Sequence, residues 1–466
     1  MNKTYKTGPI MMALLVAGFV GLFSETALNI ALGDLGKIFE VGPTTVQWLA
    51  TGYFLTLGIL IPVTGILMQK FTTRQMFFTS ITLTLIGTIL AALSPSFAFL
   101  LAGRILQAAG LAINLPLTQN VIFTIFPPNK RGAAMGIMGL VMLAGPALGP
   151  TIAGLILDTL SWEWIFWVQV PFVLLSLIIG IFYVPNVNEV RKISLDILSV
   201  ILSTIGFGGI VYGFSVSGDN GWTSPVVIGS IIIGLVGVIL FSMRQMKMEQ
   251  PMMNLRAFKY PLFVLGVFMS FITFFNMLSL LVVLPMFMQL GLLMAAFATG
   301  LVLLPGSLLN CIFAPLIGKM FDKYGPKAVI TPGTILVVIG YALYVTMGTD
   351  TATWMIVVTH IIWMLGVGMV LASTQTNTLN SLPREYYPDG IALTQTVQQV
   401  AGAMGIAIIV ALLSAKQESS LALGNELTEA TASGSSFVFM VGLALAIVNF
   451  ILSLFMKKPG EVELKA

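Results

Sequence analysis

Three residues able to carry or accept a proton stand inside long apolar runs: Glu25 in FSETALNIALG, Arg104 in LLAGRILQAAG, and the single histidine, His360. A fixed charge in hydrocarbon costs several kcal/mol unless it meets a partner or a wet cavity, so intramembrane ionisable groups are functional candidates by default. Burial penalises the charged form of a carboxyl group, which suits such a group to loading and releasing a proton. Of the 18 acidic residues, Glu25 is the one well within an apolar run. Two bland roles compete with these: a buried ion pair or carbonyl clamp for Arg104, and a hydrogen-bonded packing role for His360. Glu25 and His360 cannot by themselves form a metal site of ordinary ligand number, so no metal is expected. Cys311 is the only cysteine, which excludes an intrachain disulfide. No GxxxxGK[ST] phosphate loop occurs, which argues against ATP as an energy source; no cofactor is expected.

The elements that must position these groups follow from composition. The chain has 466 residues, 57% hydrophobic and 9% charged, against roughly a quarter charged in soluble proteins. A spanning helix needs about 20 apolar residues to cross about 30 Å of hydrocarbon. Apolar runs between Gly, Pro and charge clusters predict fourteen helices, here numbered 1 to 14, near 10–31, 45–69, 75–93, 97–126, 132–157, 162–184, 197–217, 225–244, 261–289, 295–319, 327–347, 352–382, 387–414 and 435–456. The first run follows Lys3 and Lys6 but is too long for a secretory signal core and is expected to be a retained helix. The fold class is therefore an all-α integral membrane protein.

Charge sets the orientation. With the amino terminus inside, nineteen of the 22 Lys and Arg fall on the inner side, two (Lys37 and Lys416) fall outside, and Arg104 lies within a helix. Cytoplasmic loops collect basic residues, so both termini are expected in the cytoplasm. The net charge of +4 is thus a matter of topology and not of nucleic-acid binding. The loop after helix 2 reads GILMQKFTTRQ from Gly65, and the loop after helix 10 reads GKMFDKYGPKA from Gly318. The shared spacing implies duplicated halves, helices 1–6 in residues 1–184 and helices 9–14 in residues 261–466, with residues 185–260 holding an inserted pair. No loop is long enough for a soluble domain.

The motifs carry a resemblance over essentially the whole chain. In helix 5 the run GLVMLAGPALGPTIAG places Gly139, Gly145, Pro146, Gly149, Pro150 and Gly154 at close-packing spacings. With LLAGRILQAAG in helix 4 (Arg104, Gln107, Gly110) and FSETALNIALG in helix 1 (Asn29, Ala31, Leu32), it resembles the fourteen-helix drug:proton antiporters of the major facilitator superfamily. Four positions depart from the family pattern. The gate loop has Gln69 where the family usually has Asp, and Thr72 and Thr73 where it has Gly and Arg. Its second copy keeps the acid as Asp322, so the gate charges are expected to rest more on the carboxy-terminal half. Many members carry an acid at the position of Ser24, one residue before Glu25, a shift of about 100° around a helix.

The resemblance implies proton-coupled export of amphipathic, often cationic, compounds by alternating access, by a multi-pass protein of the bacterial plasma membrane and not by an enzyme. Export or import of a specific lipid, peptide or metabolite on the same fold is the alternative. In the leading reading Glu25 carries the proton and Arg104 aids its release, both lying in the outer half of the membrane, with His360 a further coupling candidate. The helix 5 residues Gly145, Pro146, Gly149, Pro150 and Gly154 form the antiporter motif, and Gly65, Gln69, Lys70, Arg74, Gly318, Asp322, Gly325 and Lys327 form the gate loops. Candidate substrate contacts are Asn29, Trp48, Tyr53, Gln107, Asn114, Phe275, Asn276, Gln375, Asn377, Gln395 and Gln398. The expected partners are a lipophilic small molecule, protons and membrane lipids, with no nucleic acid, and a monomer suffices.

Overall fold

A computed structural model describes residues 5–187, 190 and 196–458. Lys3, Arg191, Lys192 and Lys465 of the basic tally lie outside them. Fourteen helices are long and apolar enough to cross a membrane: Thr7–Ile30, Trp48–Lys70, Thr73–Ala92, Phe97–Ile125, Pro128–Thr159, Trp164–Tyr183, Ile197–Ser215, Pro225–Lys247, Pro261–Gly291, Ala298–Tyr324, Lys327–Val345, Thr353–Asn380, Arg384–Ala422 and Leu427–Ser453. They keep the numbers 1 to 14. The expected all-α membrane fold is thus the observed one.

Two boundaries depart from the expected ones. The α-helical part of helix 1 ends at Ala27 and tightens into a 3-10 turn at Leu28–Ile30. At the other end, the expected loop at 415–434 is mostly helical, because helix 13 runs on to Ala422 and helix 14 begins at Leu427. Residues 408–422 contain no Gly or Pro to stop the helix. The side chain of Gln417 reaches across to donate to Thr431 Oγ1 at 2.8 Å, holding the two helix ends together.

The chain forms two compact units. Unit 1 runs to Pro127, resumes at Val141–Ala257 and takes in Pro383–Thr396; unit 2 holds Pro128–Leu140, Phe258–Leu382 and the chain from Val397 onward. Helix 5 therefore begins in unit 2 and continues in unit 1, and helix 13 does the reverse. In unit 1 a core of Phe23, Ala27, Leu49, Ala91, Leu100, Ile156, Ile165 and Phe166 ties helices 1 to 6 together. Trp162 is 8% exposed and packs edge-on against Phe39 and Phe166, whereas Trp164 is 46% exposed. Unit 2 has its own core around Phe287, Tyr341, Tyr344, Trp363 and Phe439.

The inserted pair belongs to unit 1. Hydrocarbon supplies no hydrophobic drive between helices, so close association depends on small residues that let backbones meet. Gly206 and Gly209 of helix 7 face Gly237 and Gly234 of helix 8: a Cβ on Gly206 would lie 2.8 Å from Val238 N, and one on Gly234 would lie 2.6 Å from Ile210 N. Helix 7 in turn rests on helix 2, where a Cβ on Gly58 would lie 3.0 Å from Val211 Cγ2 and Trp48 stacks on Tyr212 with ring centres 5.8 Å apart. Overpacking such a contact costs about 1–3 kcal/mol. Gly234→Val should therefore lower the thermal unfolding midpoint of the purified protein in detergent, whereas Gly229→Ala, at a glycine with open space around it, should not. Equal midpoints for the two variants would show that the close approach contributes nothing.

Candidate functional site

Arg104 is fully buried, and its position is set by backbone-to-backbone packing of helix 4 on helix 3. A Cβ on Gly103 would lie 2.8 Å from Ala91 N, one on Gly87 would lie 2.7 Å from Gln107 N, and one on Gly110 would lie 2.8 Å from Ser80 O. That approach turns Arg104 and Gln107, three residues apart on one face, toward helices 1 and 2. Arg104 Nε donates to Leu49 O at 3.3 Å. Its Nη1 donates to Ser24 O at 2.7 Å, Ser24 Oγ at 2.9 Å and Gln107 Oε1 at 3.4 Å. The guanidinium lies 4.2 Å from the centre of the Tyr53 ring, whose hydroxyl donates to Gly21 O at 2.9 Å. Stacking on an aromatic face offsets part of the cost of burying a cation.

The network runs on. Ser24 Oγ donates to Gln107 Oε1 at 3.0 Å; Gln107 Nε2 donates to Thr88 Oγ1 at 2.9 Å and to Gln169 Oε1 at 3.4 Å; Gln169 Nε2 donates to Ile165 O at 2.8 Å. Helices 1, 2, 3, 4 and 6 thus share one buried polar seam. Thr88 and Gln169 escaped the sequence reading, and Ser24 entered it only as a departure from the family pattern. Their signal was weak, since single hydroxyl or amide residues in apolar helices are common interhelical contacts.

The arrangement around Arg104 is the carbonyl and hydroxyl clamp and not an ion pair. No salt bridge joins it to Glu25 among the described residues. Ser24, at the family's acidic position, makes the direct contact, and Glu25, one residue on, is half-buried on a neighbouring face. Arg104 Nη2 has no hydrogen-bond partner. The glycine-rich run of helix 5 packs on this same turn of helix 1: a Cβ on Gly145 would lie 2.7 Å from Leu22 Cβ, and one on Gly149 would lie 3.1 Å from Ala27 N and run into Thr26 Oγ1. Pro146 and Pro150 lie within the same helix, whereas Gly154 has open space around it.

The remaining candidates scatter. In unit 1, Asn29 sits exposed on the 3-10 turn after helix 1, and Trp48 faces the inserted helix 7. Asn114 accepts a 2.7 Å bond from Thr118 in its own helix, and Gln395 donates to Gln119 Oε1 at 3.2 Å. In unit 2, Phe275 stacks near Phe271, and Asn276 donates weakly to Gly442 O at 3.5 Å while its carbonyl accepts from Tyr341. Asn377 donates to Lys457 O at 3.2 Å; Gln375 is buried. Gln398 is buried with neither amide atom bonded, as is Asn310 of helix 10, a residue absent from the sequence-based set. His360 shares a 3.1 Å hydrogen bond with Tyr344 through Nδ1 and stacks on Trp363, while a Cβ on Gly306 would lie 2.6 Å from its ring. The imidazole is thus packed among helices 10, 11 and 12.

The gate loops are built differently in the two units. In unit 2, Asp322 accepts from the Gly132 and Ala133 N–H groups at 2.8 and 2.9 Å, so its carboxylate meets the open N–H groups at the start of helix 5. Arg131 Nη1 donates to Asn380 Oδ1 at 2.7 Å beside it. Gly318 lies directly against Gly132, Gly325 takes the left-handed conformation (φ +85°) that ends helix 10, and Lys327 opens helix 11. In unit 1 the acid has changed sides: Gln69 Nε2 donates at 3.3 Å to Asp389, which lies in the first turn of helix 13 itself. The acid that the first loop lacks is met by Asp389, a buried carboxylate on helix 13 in the carboxy-terminal half of the sequence. Gly65 fits against Ala392, where a Cβ would lie 3.1 Å away. Lys70 lies over Phe71, and Arg74 donates to the Ile181 and Val184 carbonyls at 3.1 and 3.2 Å, closing the end of helix 6. Among the described residues, no group of three or more His, Cys, Asp or Glu could hold a metal ion.

Comparison with known proteins fits this geometry. The family model for the Major Facilitator Superfamily matches residues 14–406. The chain is 51% identical over 465 residues to the lincomycin resistance protein LmrB of Bacillus subtilis (98% of this chain, 97% of that one) and 48% identical over 455 residues to LmrB of Listeria monocytogenes (97% of each). In fold it is similar to the proton:xylose symporter XylE, with a TM-score of 0.69 at 14% identity, covering 100% of this chain and 99% of that one. The chain belongs to the major facilitator superfamily, whose members are multi-pass membrane transporters and not enzymes.

Proposed function

We propose that this chain exports amphipathic compounds, lincomycin among them, from the bacterial cytoplasm in exchange for protons. The observation that carries the reading is the turn of helix 1 holding Ser24 and Glu25, caught between the Arg104 clamp on one side and the Gly145–Gly149 motif of helix 5 on the other. A half-buried carboxyl group there is open to protonation, and any shift of helix 1 against helix 5 changes what surrounds it. Whole-length likeness to resistance proteins supports a drug as cargo, and the basic bias of the loops supports cytoplasmic termini.

In the exchange, Glu25 takes a proton from the outer medium, the loaded carboxyl group is neutral and tolerates closure, and the proton leaves to the cytoplasm as cargo enters the site. Arg104 favours the carboxylate at the release step. Its free Nη2 gives Glu25 a donor to meet when the helices rearrange, while the Ser24 and Leu49 carbonyls keep the guanidinium in place throughout. Neutral amides such as Gln398 and Asn310, buried with unmet hydrogen-bonding capacity in unit 2, are the groups proposed to meet polar atoms of cargo. A buried polar group left unpaired is costly, so a ligand that satisfies it gains affinity.

Everted membrane vesicles provide the test. Adding lincomycin should release protons from acidified vesicles, and a protonophore should abolish drug accumulation; uncoupler-insensitive accumulation would overturn proton exchange. In proteoliposomes, Glu25→Gln should remove proton-driven transport while leaving drug binding and thermal stability near those of the parent. Full antiport by Glu25→Gln would end its assignment as carrier. Arg104→Lys keeps the charge but loses the planar fork that reaches Leu49 and Ser24 together. It should insert and fold, yet shift the pH profile of transport, since the donors available to Glu25 change. An unmoved pH profile with slower transport would mark Arg104 as a brace alone.

A further inference from the structure

Asp389 is 4% exposed, and a buried carboxylate needs donors. Two reach its Oδ1 from separate parts of unit 1: Gln69 Nε2 at the end of helix 2, at 3.3 Å, and the backbone N–H of Asn254, in the segment after helix 8, at 3.0 Å. That segment does not hang free. Gln245, on the last turn of helix 8 and 2% exposed, accepts from the N–H groups of Met252 at 2.6 Å and Met253 at 3.2 Å. Both methionine side chains are buried, and Met252 O lies 3.9 Å from where a Cβ on Gly65 would stand. The segment therefore fills the space where the end of helix 2 meets the start of helix 13.

The anchoring continues into the inserted pair. Gln245 Nε2 donates to Ser199 Oγ at 2.6 Å, the Ser199 hydroxyl donates to the Asp196 carboxylate, and Asp196 pairs with Arg244 at 2.6 and 3.0 Å. Hydrogen bonds from Arg244 and Ser199 hold the Asp196 carboxyl down to about 2, so the pair stays charged at any physiological pH. The unbroken sequence of contacts runs from helices 7 and 8 through residues 252–254 to Asp389 and Gln69. The glycine seam described above makes helices 7 and 8 one rigid body on helix 2, which gives the segment a firm support.

We propose that the inserted helix pair carries a strap, residues 248–254, that latches the first turn of helix 13 to helices 2 and 8 through Asp389, and that this latch must open whenever that turn departs. It rests on the transporter reading for what the latch gates. In this chain the usual gate carboxylate of the first loop is replaced by Gln69, a neutral donor, and the strap adds a backbone donor to Asp389. Helices 7 and 8 are then a working part of the gate and not a spacer between halves.

Alkylation of a single buried cysteine tests the latch without cargo or a proton gradient, so it stands apart from the export reading. In the full chain in native membranes, with Cys311→Ser as background, Met253→Cys places the reporter in the strap. N-ethylmaleimide should label it slowly. Gln245→Leu, which cuts the strap from helix 8, and Asp389→Ala, which cuts it from helix 13, should each raise the labelling rate about threefold or more, within the usual range for mutations that loosen a coupled element. Ser199→Ala should raise it by less. Acceleration by Gln245→Leu with none by Asp389→Ala would overturn the proposal, because the strap would then be held by the inserted pair alone. An unchanged rate in both would overturn it too. Where Asp389→Ala does not insert, Asp389→Asn decides in the same way.

Discussion

The buried guanidinium of Arg104 is the constraint around which unit 1 is organised. An arginine cannot shed its charge at any accessible pH, and hydrocarbon offers no water to bond it, so the surrounding helices must supply acceptors. Two backbone carbonyls, a serine hydroxyl, a glutamine and the face of a tyrosine do so, from helices 1, 2 and 4. Their use here requires helix 1 to stand at a fixed height beside helix 4, and the glycines at 87, 103 and 110 permit the close approach of helices 3 and 4 that sets that height. The position of the Ser24–Glu25 turn follows from this.

That constraint also explains why the acid can sit at 25 and not at 24. A carboxylate at 24 would bind the guanidinium directly and stay there, since a buried ion pair is costly to break. With serine at 24, neutral and carbonyl acceptors satisfy most of the guanidinium, and one donor remains uncommitted. The one-residue shift from the family pattern leaves a neutral hydroxyl against the guanidinium and puts the half-buried carboxyl group on the neighbouring face.

Much of this was legible in the residues. Fourteen spans and the buried Arg104 follow from apolar length and the cost of burying charge, both of which act within one segment. What escaped depends on which faces meet. The choice between an ion pair and a clamp for Arg104 turns on 100° of rotation in helix 1, and Asn29 and Trp48 fall outside the cluster because helix 1 tightens after Ala27 and helix 2 turns Trp48 toward helix 7. Thr88 and Gln169 carry no local mark that separates them from dozens of other polar residues in apolar helices. Asp389 did carry one: an acid just after Pro388, at a helix start, is a favoured first-turn arrangement, and it stood opposite a gate loop that lacked its own acid.

The two gate copies show one electrostatic demand met in two ways. Each needs negative charge at the open N–H end of a helix that starts on the basic face. In unit 2 the loop donates it, Asp322 reaching across to helix 5. In unit 1 the helix carries it itself, and the loop answers with an amide. The two solutions differ in what must be broken. When Asp322 leaves, helix 5 loses its anion and exposes bare N–H groups; when Gln69 leaves, helix 13 keeps its anion and loses only a donor. The second contact is intrinsically the weaker, being a bond from a neutral amide to a carboxylate instead of an anion at a helix end. A backbone donor from residue 254 strengthens it, and that donor can reach Asp389 only because helices 7 and 8 return the chain to this spot.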